Sequence, residues 1–109
     1  MEYTKAEAAV ITLDGFVSLE YKRKAEILQL YKKPQDIFED VTPAANYIKK
    51  NCSDENGLSS EFFAKSFTLG RFYKIAEKLE SKNVTVITCY SKDYPEIFKH
   101  MRGAPLALY

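Results

Sequence analysis

Apolar residues recur at helical spacing along the first part of the chain, between residues that begin or end helices. Thr4 is followed three residues later by Glu7, which is the spacing of a capping box at a helix start. Apolar Val10 and Leu13 continue the helical period, and an Asp-Gly pair that includes Gly15 interrupts it. The pattern predicts a first helix from about Thr4 to Leu13.

Three shorter helical segments follow. Ser18 suits the cap of a second helix, whose apolar face continues to Leu30 while charged residues occupy the opposite face. Pro34 stands where proline suits a first helical position and predicts a short third turn. Thr42 precedes another proline and begins a helix that ends near Asn51. Short helices on short loops predict a compact helical cluster.

The longest apolar-periodic stretch lies in the second half of the chain. It starts at a pair of serines after a polar stretch at residues 51–57, which predicts an exposed loop, and it continues to Lys82. Gly70 within this helix costs ~1 kcal/mol relative to alanine, which indicates a close helix crossing or a local bend there. Asn83 suits the left-handed residue that closes a helix.

These segments predict a mainly α fold, with residues 1–82 forming a helical N-terminal domain around one core. The predicted core residues share helical spacing between identifiable caps. They are Val10, Leu13, Ile27, Leu28, Phe38, Ile48, Phe63, Phe67 and Ile75.

The last quarter of the chain has a different pattern. Residues 84–88 are a β-branched run, residues 93–101 contain a turn and a short apolar-periodic stretch, and residues 104–109 are a second apolar run. A strand, a helix and a strand in this order are typical of the start of a parallel α/β sheet, so we predict a connecting unit at 83–109. A parallel pair needs neighbours and a covered face, so we expect a longer protein, with this tail pairing with a second copy or folding back on the helices.

Charge and cysteine content exclude few functions. The chain has 16 basic and 15 acidic residues, a net charge of +1, so it has no global field that would attract a polyanion. Cys52 and Cys89 are far apart and are expected to be reduced thiols. We expect a cytoplasmic protein, because the N-terminus is polar and no long apolar segment is present.

Catalytic motifs are not recognisable in the sequence. His100 is the single histidine. It is expected near the end of a short helix, where the helix dipole favours a positively charged side chain, so its presence needs no catalytic explanation. No metal-ligand spacing and no glycine-rich phosphate loop occur, so we expect no cofactor and no enzymatic activity.

The region around Gly15 resembles a degenerate helix-hairpin-helix, a motif in which paired glycines let backbone amides bind a DNA phosphate. Val17 replaces the second glycine, so a purely structural hairpin is the alternative. Lys22, Arg23 and Lys24 form a basic cluster that could pair with phosphates of a single strand, or could simply be a solvated helix surface. These three residues and Gly15 are the candidate nucleic-acid contacts.

The tail resembles the DNA-processing protein A family (DprA, also called Smf). Members of that family carry a β-branched strand, an Asp-x-x-Tyr-Pro-x-x-Leu element and a Pro-x-x-Leu-Tyr element before a Rossmann-like domain. The matching residues are Tyr94, Pro95, Pro105, Leu108 and Tyr109, with Asp93 directly before the tyrosine and Phe98 in place of the usual leucine. With the helical segment before it, the resemblance extends over nearly all 109 residues.

The resemblance implies a role in natural transformation and DNA recombination, in which family members bind incoming single-stranded DNA and load a RecA-type recombinase. Their DNA contact lies in the Rossmann-like domain, after the Leu-Tyr pair, and Tyr109 is the last residue of this sequence. The implied part is the N-terminal domain, with a sterile-alpha-motif or helix-hairpin-helix-like fold, as a docking or dimer-supporting module. A free-standing helical adaptor unrelated to DNA is the alternative.

Overall fold

The computed structural model describes residues 3–16, 19–51, 59–96, 98 and 105–109. Its fold is mainly α, as predicted. The helices of the described part are α1 (Lys5–Asp14), α2 (Tyr21–Gln29), α3 (Asp36–Glu39), α4 (Thr42–Asn51), α5 (Ser60–Ser66) and α6 (Leu69–Ser81). Two short strands follow, β1 (Ile87–Thr88) and β2 (Ala107–Leu108). The predicted residues Val17, Ser18, Cys52, His100 and the loop at 52–57 lie outside the described residues.

Helix α1 is the central element. Its start is the predicted capping box: the Glu7 amide donates to Thr4 Oγ1 at 3.1 Å, and the Thr4 amide donates to Glu7 Oε1 at 3.0 Å. All residues from Ala8 to Leu13 are buried, so the helix contacts protein on several sides. The buried Thr12 hydroxyl donates to the Ala8 carbonyl at 2.8 Å, which satisfies a polar group within the core.

One side of α1 faces a core built by α2, α3, α4 and α5. Its buried members are Ala9, Leu13, Phe16, Leu19, Ile27, Ile37, Ala44, Ile48, Phe63 and Phe67. The predicted core residues Leu13, Ile27, Ile48, Phe63 and Phe67 are confirmed by their burial in this cluster. Leu28 and Phe38 are half-buried against it, and Val10 is fully buried.

The other side of α1 faces α6 and the tail. Ala8 and Ile11 contact Phe72 of α6 and Val86 of the tail in a second buried cluster. Ile75, predicted as core, is half-buried against this cluster. Helix α1 therefore separates two apolar cores and connects the helical cluster to the tail.

The prediction of one long helix after Ser60 is wrong, because the structure has two helices there, α5 and α6. Phe67, with φ −81° and ψ 84°, leaves the helical conformation, and the Thr68 hydroxyl caps α6 by accepting from the Arg71 amide at 3.1 Å. A capping threonine satisfies an otherwise unpaired donor and so competes with helix continuation. The change of direction places the Phe67 ring in the first core.

Gly70 does not have the role predicted for it. Among the described residues, a Cβ atom built there would meet only Thr68 Oγ1, at 3.7 Å, within 4 Å, so none of the described helices crosses closely at this position. The residue is exposed in the first turn of α6, and the chain bends earlier, at Phe67. The predicted end of α6 is confirmed: Asn83 has φ 57°, and the next amide, of Val84, donates to the Leu79 carbonyl at 2.9 Å.

The tail strands pair antiparallel, so the predicted start of a parallel sheet is wrong. Ile87 is opposite Leu108 and Thr88 is opposite Ala107, and the Cys89 amide extends the pairing by donating to the Leu106 carbonyl at 2.9 Å. Among the described residues, β1 and β2 form a two-stranded sheet in which each strand supplies hydrogen-bond partners to the other. Both contact α1, so the tail folds back on the helices, which is one of the two expected arrangements.

Glu7 connects the start of α1 to the tail. Its second carboxylate oxygen accepts a hydrogen bond from the Ser91 hydroxyl at 2.5 Å, while Ser91 Oγ accepts from the Thr88 amide at 2.9 Å. Burial by itself raises the pKa of Glu7, but the hydrogen bonds from Ser91 and Thr4 outweigh it and hold the pKa below its ordinary value of 4.5. The ionised carboxylate is therefore the form that fits this site.

We expect Glu7→Gln to destabilise the protein by about 1 kcal/mol at pH 7, because a neutral acceptor replaces a charged one. The lowered pKa of Glu7 means that its stabilisation is present above pH 4.5 and is lost as the pH falls through the folded-state pKa. The difference in the free energy of unfolding between wild type and variant, measured by urea melts, should therefore shrink towards pH 3. Glu77→Gln, at an exposed position of α6, is the control. An unchanged difference across this range would contradict the prediction.

Candidate docking groove

Lys24, predicted as a DNA contact, is buried and binds the end of α1. The residue is only 8% exposed, and its Nζ donates to the Asp14 carbonyl at 3.0 Å and lies 3.5 Å from Asp14 Oδ1. The ammonium group thus binds a free carbonyl at the C-terminus of α1, where a cation is favoured by the helix dipole. Lys24 connects α2 to the end of α1.

Arg23 lies in a polar contact between α2 and α4. Its Nη1 donates to the Tyr47 hydroxyl at 3.2 Å and lies 3.9 Å from Glu26 Oε2, and the Tyr47 hydroxyl donates to the same carboxylate. Lys22 is exposed on α2. The predicted basic cluster is thus divided between a buried cation, a helix-to-helix contact and an exposed cation, and its predicted contact with DNA stays a prediction.

Gly15, at the C-terminal end of α1, lies close to α6. Its amide donates to the carbonyls of Ile11 and Thr12 at 3.1 and 3.2 Å, and its φ of −69° is one that any residue adopts. A Cβ atom on Gly15 would lie 3.3 Å from Ile75 Cδ1, so the glycine allows close approach of the two helices. The amide that the hairpin motif would offer to a phosphate is used within the helix.

The two halves of the tail motif are in direct contact. Tyr94 is buried and its hydroxyl donates to the Pro105 carbonyl at 2.5 Å. Its ring lies 5.8 Å from the ring of Phe98, which is held by a turn from the Pro95 carbonyl to the Phe98 amide at 3.0 Å. Leu108, as part of β2, lies opposite Ile87 of β1. Residues that are eleven positions apart in sequence thus form one structural unit.

A groove of about 340 Å³ lies between α1, α6 and the last residue of the chain. The lining residues come from three separate parts of the sequence. They are Ile11, Gly15, Arg71, Lys74, Ile75, Lys78 and Tyr109. The lining therefore combines apolar residues of α1 and α6 with three cations of α6.

The three cations are spaced along one face of α6. Arg71, Lys74 and Lys78 follow the i, i+3, i+7 spacing that places side chains on the same side of a helix. None of them pairs with a carboxylate within 4.0 Å among the described residues. The Arg71 guanidinium carbon lies 4.4 Å from the centre of the Phe16 ring, and its buried Nε has no hydrogen-bond partner there. The groove is therefore a local positive surface on a nearly neutral protein.

Tyr109 is the member of the lining that comes from the tail. Its hydroxyl donates to Asp14 Oδ2 at 2.5 Å, which fixes the ring beside the end of α1. Burial, together with the hydrogen bond to Asp14 and its negative charge, raises the pKa of Tyr109 well above its ordinary value of 10. The phenol is therefore protonated throughout the physiological range. The Asp14 carboxylate is engaged by both Tyr109 and Lys24.

Sequence reasoning selected the cations at 22–24 and overlooked those of α6. A signal was present, because Arg71, Lys74 and Lys78 keep helical spacing beside the apolar Ile75. What the sequence does not show is that the end of α1 and Tyr109 lie across from this face. Those contacts depend on the fold of the tail.

Comparisons with known proteins give no match. No protein-family model matches the chain, and neither the curated proteins nor the solved structures searched include one that matches it. The resemblance to the DNA-processing protein A family, and to its sterile-alpha-motif or helix-hairpin-helix-like fold, therefore stays a prediction. In the described part of the chain, no helix has the length and apolar character needed to cross a membrane. No cluster of three metal-binding side chains occurs among those residues.

Proposed function

We propose that this chain is a non-catalytic, cytoplasmic docking domain of a DNA-processing protein of the DprA type. Its own role is to contact a protein partner, of which a RecA-type recombinase is the first candidate, and a homodimer is a further possibility that the resemblance implies. The single observation that carries the proposal is the hydrogen bond from the Tyr94 hydroxyl to the Pro105 carbonyl. It joins the Tyr-Pro and Pro-x-x-Leu-Tyr elements on which the family resemblance depends.

The arrangement of the basic residues supports protein contact in preference to DNA contact by these 109 residues. Lys24 and Arg23 have partners within the molecule, and the Gly15 amide donates within its own helix. In this proposal single-stranded DNA is bound by a Rossmann-like domain of the DprA type, which these residues do not include. The groove at α6 is the surface at which the helical domain offers three cations to a partner, and none of them pairs with a carboxylate of the described residues.

The test is binding of the purified chain to a bacterial RecA-type recombinase and to a labelled oligothymidylate, by biolayer interferometry at physiological salt. We expect saturable binding of the recombinase and weak or no binding of the oligonucleotide, because the net charge is only +1. Serum albumin is the control for nonspecific protein binding. Submicromolar affinity for the oligonucleotide that falls steeply with added salt would contradict the assignment of DNA contact to another domain.

A free-standing helical adaptor is the second proposal. The observation in its favour is that the Gly15 amide donates within α1 and the Lys24 ammonium group binds the end of α1, so both groups are already engaged within the molecule. The same experiment separates the two proposals, because an adaptor unrelated to DNA processing has no affinity for the recombinase.

A further inference from the structure

We propose that the groove between α1, α6 and Tyr109 binds an acidic peptide segment. One large apolar side chain of the peptide, with acidic residues on both sides of it in sequence, enters the groove. This inference rests on the proposed docking role and names the partner's chemistry. It does not depend on whether the partner takes part in DNA processing.

The positive charges of α6 favour an anionic ligand in the groove. Lys74 and Lys78 are exposed, and together with Arg71 they place three positive charges along about 10 Å of one helix, at a rise of 1.5 Å per residue. Arg71 pairs with no carboxylate among the described residues, although a guanidinium readily donates to one. A segment with several carboxylates would complement this face.

The aliphatic part of the lining favours an apolar group within that anionic segment. Ile11 and Ile75 form the aliphatic part of the lining, beside the cations of α6 and Tyr109. A volume of about 340 Å³ is at the lower end of the range of ligand pockets, which suits one large side chain and its adjacent backbone. Burial of an apolar anchor supplies affinity that exposed ion pairs alone do not supply.

The same features favour a peptide over a nucleic acid. Single strands are bound by aromatic rings on which successive bases stack, but the described lining contains one aromatic residue, and its other apolar side chains are isoleucines. Tyr109, the aromatic member of the described lining, has its hydroxyl bound to Asp14, which adds a carboxylate at the edge of the groove. A repeating phosphate backbone meets that carboxylate unfavourably, whereas a peptide can place an uncharged residue there.

The experiment uses the full chain and a fluorescein-labelled peptide of aspartates on both sides of one leucine, measured by fluorescence anisotropy at low salt. We expect the Lys74→Glu, Lys78→Glu double variant to weaken binding by about tenfold or more, because two attractive charges become repulsive. Lys32→Glu, Lys33→Glu is the matched control, since it makes the same charge change at exposed lysines outside the groove lining and should bind as wild type does. A peptide with serine in place of leucine should bind several-fold more weakly.

Four outcomes would overturn the inference: no binding of the leucine peptide, equal losses in the two double variants, equal affinity for the leucine and serine peptides, or tighter binding of labelled oligothymidylate with the same sensitivity to Lys74 and Lys78. The last would assign the groove to nucleic acid. Peptide binding without recombinase binding would leave the groove assignment intact and contradict the proposed DNA-processing role. Recombinase binding that the Lys74→Glu, Lys78→Glu variant retains, with no peptide binding, would contradict only the groove.

Discussion

Replacement of Phe67 by alanine is expected to lower the free energy of unfolding by about 3–5 kcal/mol. Phe67 is only 3% exposed, and its ring centre lies 5.0 to 6.1 Å from those of Phe38, Phe63 and Phe16. Alanine would remove these aromatic contacts and leave a cavity at the point where α5 ends. The loss should appear as a lower urea midpoint with little change in the slope of the transition.

Phe62 is the matched control for this experiment. It precedes Phe63 in α5 and is 49% exposed, with an edge contact to the Phe16 ring at 6.4 Å between centres. We expect Phe62→Ala to cost less than about 1 kcal/mol, because about half of this residue is already exposed to water. Equal midpoints for the two variants would contradict the placement of Phe67 in the core.

Local signals were sufficient to predict the start of α1 and the end of α6. Thr4 and Glu7 cap each other through contacts three residues apart, and Asn83 closes α6 with a backbone conformation that asparagine tolerates. Such interactions involve neighbours in sequence, so a residue pattern describes them fully. The same holds for the apolar spacing that predicted most of the core.

The break between α5 and α6 was not predicted, because two local preferences compete there. Apolar spacing continues through Phe67, which favours one long helix, while Thr68 is able to cap a new one. The burial of the Phe67 ring among three aromatic rings of the first core favours the break. That gain depends on tertiary contacts, which the sequence pattern does not contain.

The roles of Lys24 and of the tail depended on tertiary contacts as well. Lys24 belongs to a basic run that is typical of a solvated helix face, but the end of α1 lies within reach of its ammonium group. The strands at Ile87 and Leu108 are too short for their spacing to decide between parallel and antiparallel pairing. The groove, in turn, exists only once the tail has placed Tyr109 beside α1.

The contact between the two halves of the tail motif predicts a large effect at Tyr94. This residue is 5% exposed, and its ring contacts Phe98 while its hydroxyl donates to the Pro105 carbonyl. We expect Tyr94→Ala to cost about 3–5 kcal/mol, because it removes a buried aromatic side chain. Tyr94→Phe should cost about 1–2 kcal/mol, because it keeps the ring and removes only the hydrogen bond.

Tyr90, which lies between β1 and Tyr94 in sequence and is 50% exposed, is the control. We expect Tyr90→Ala to change the free energy of unfolding by less than about 1 kcal/mol. Urea melts of the four proteins, with tyrosine fluorescence and circular dichroism as separate probes, give the comparison. The order Tyr94→Ala, Tyr94→Phe, Tyr90→Ala, from most to least destabilised, is expected if the tail is packed on α1 as a unit. Equal stability of Tyr94→Ala and Tyr90→Ala would mean that the motif halves are not joined, and the observation that carries the proposed DNA-processing role would be lost.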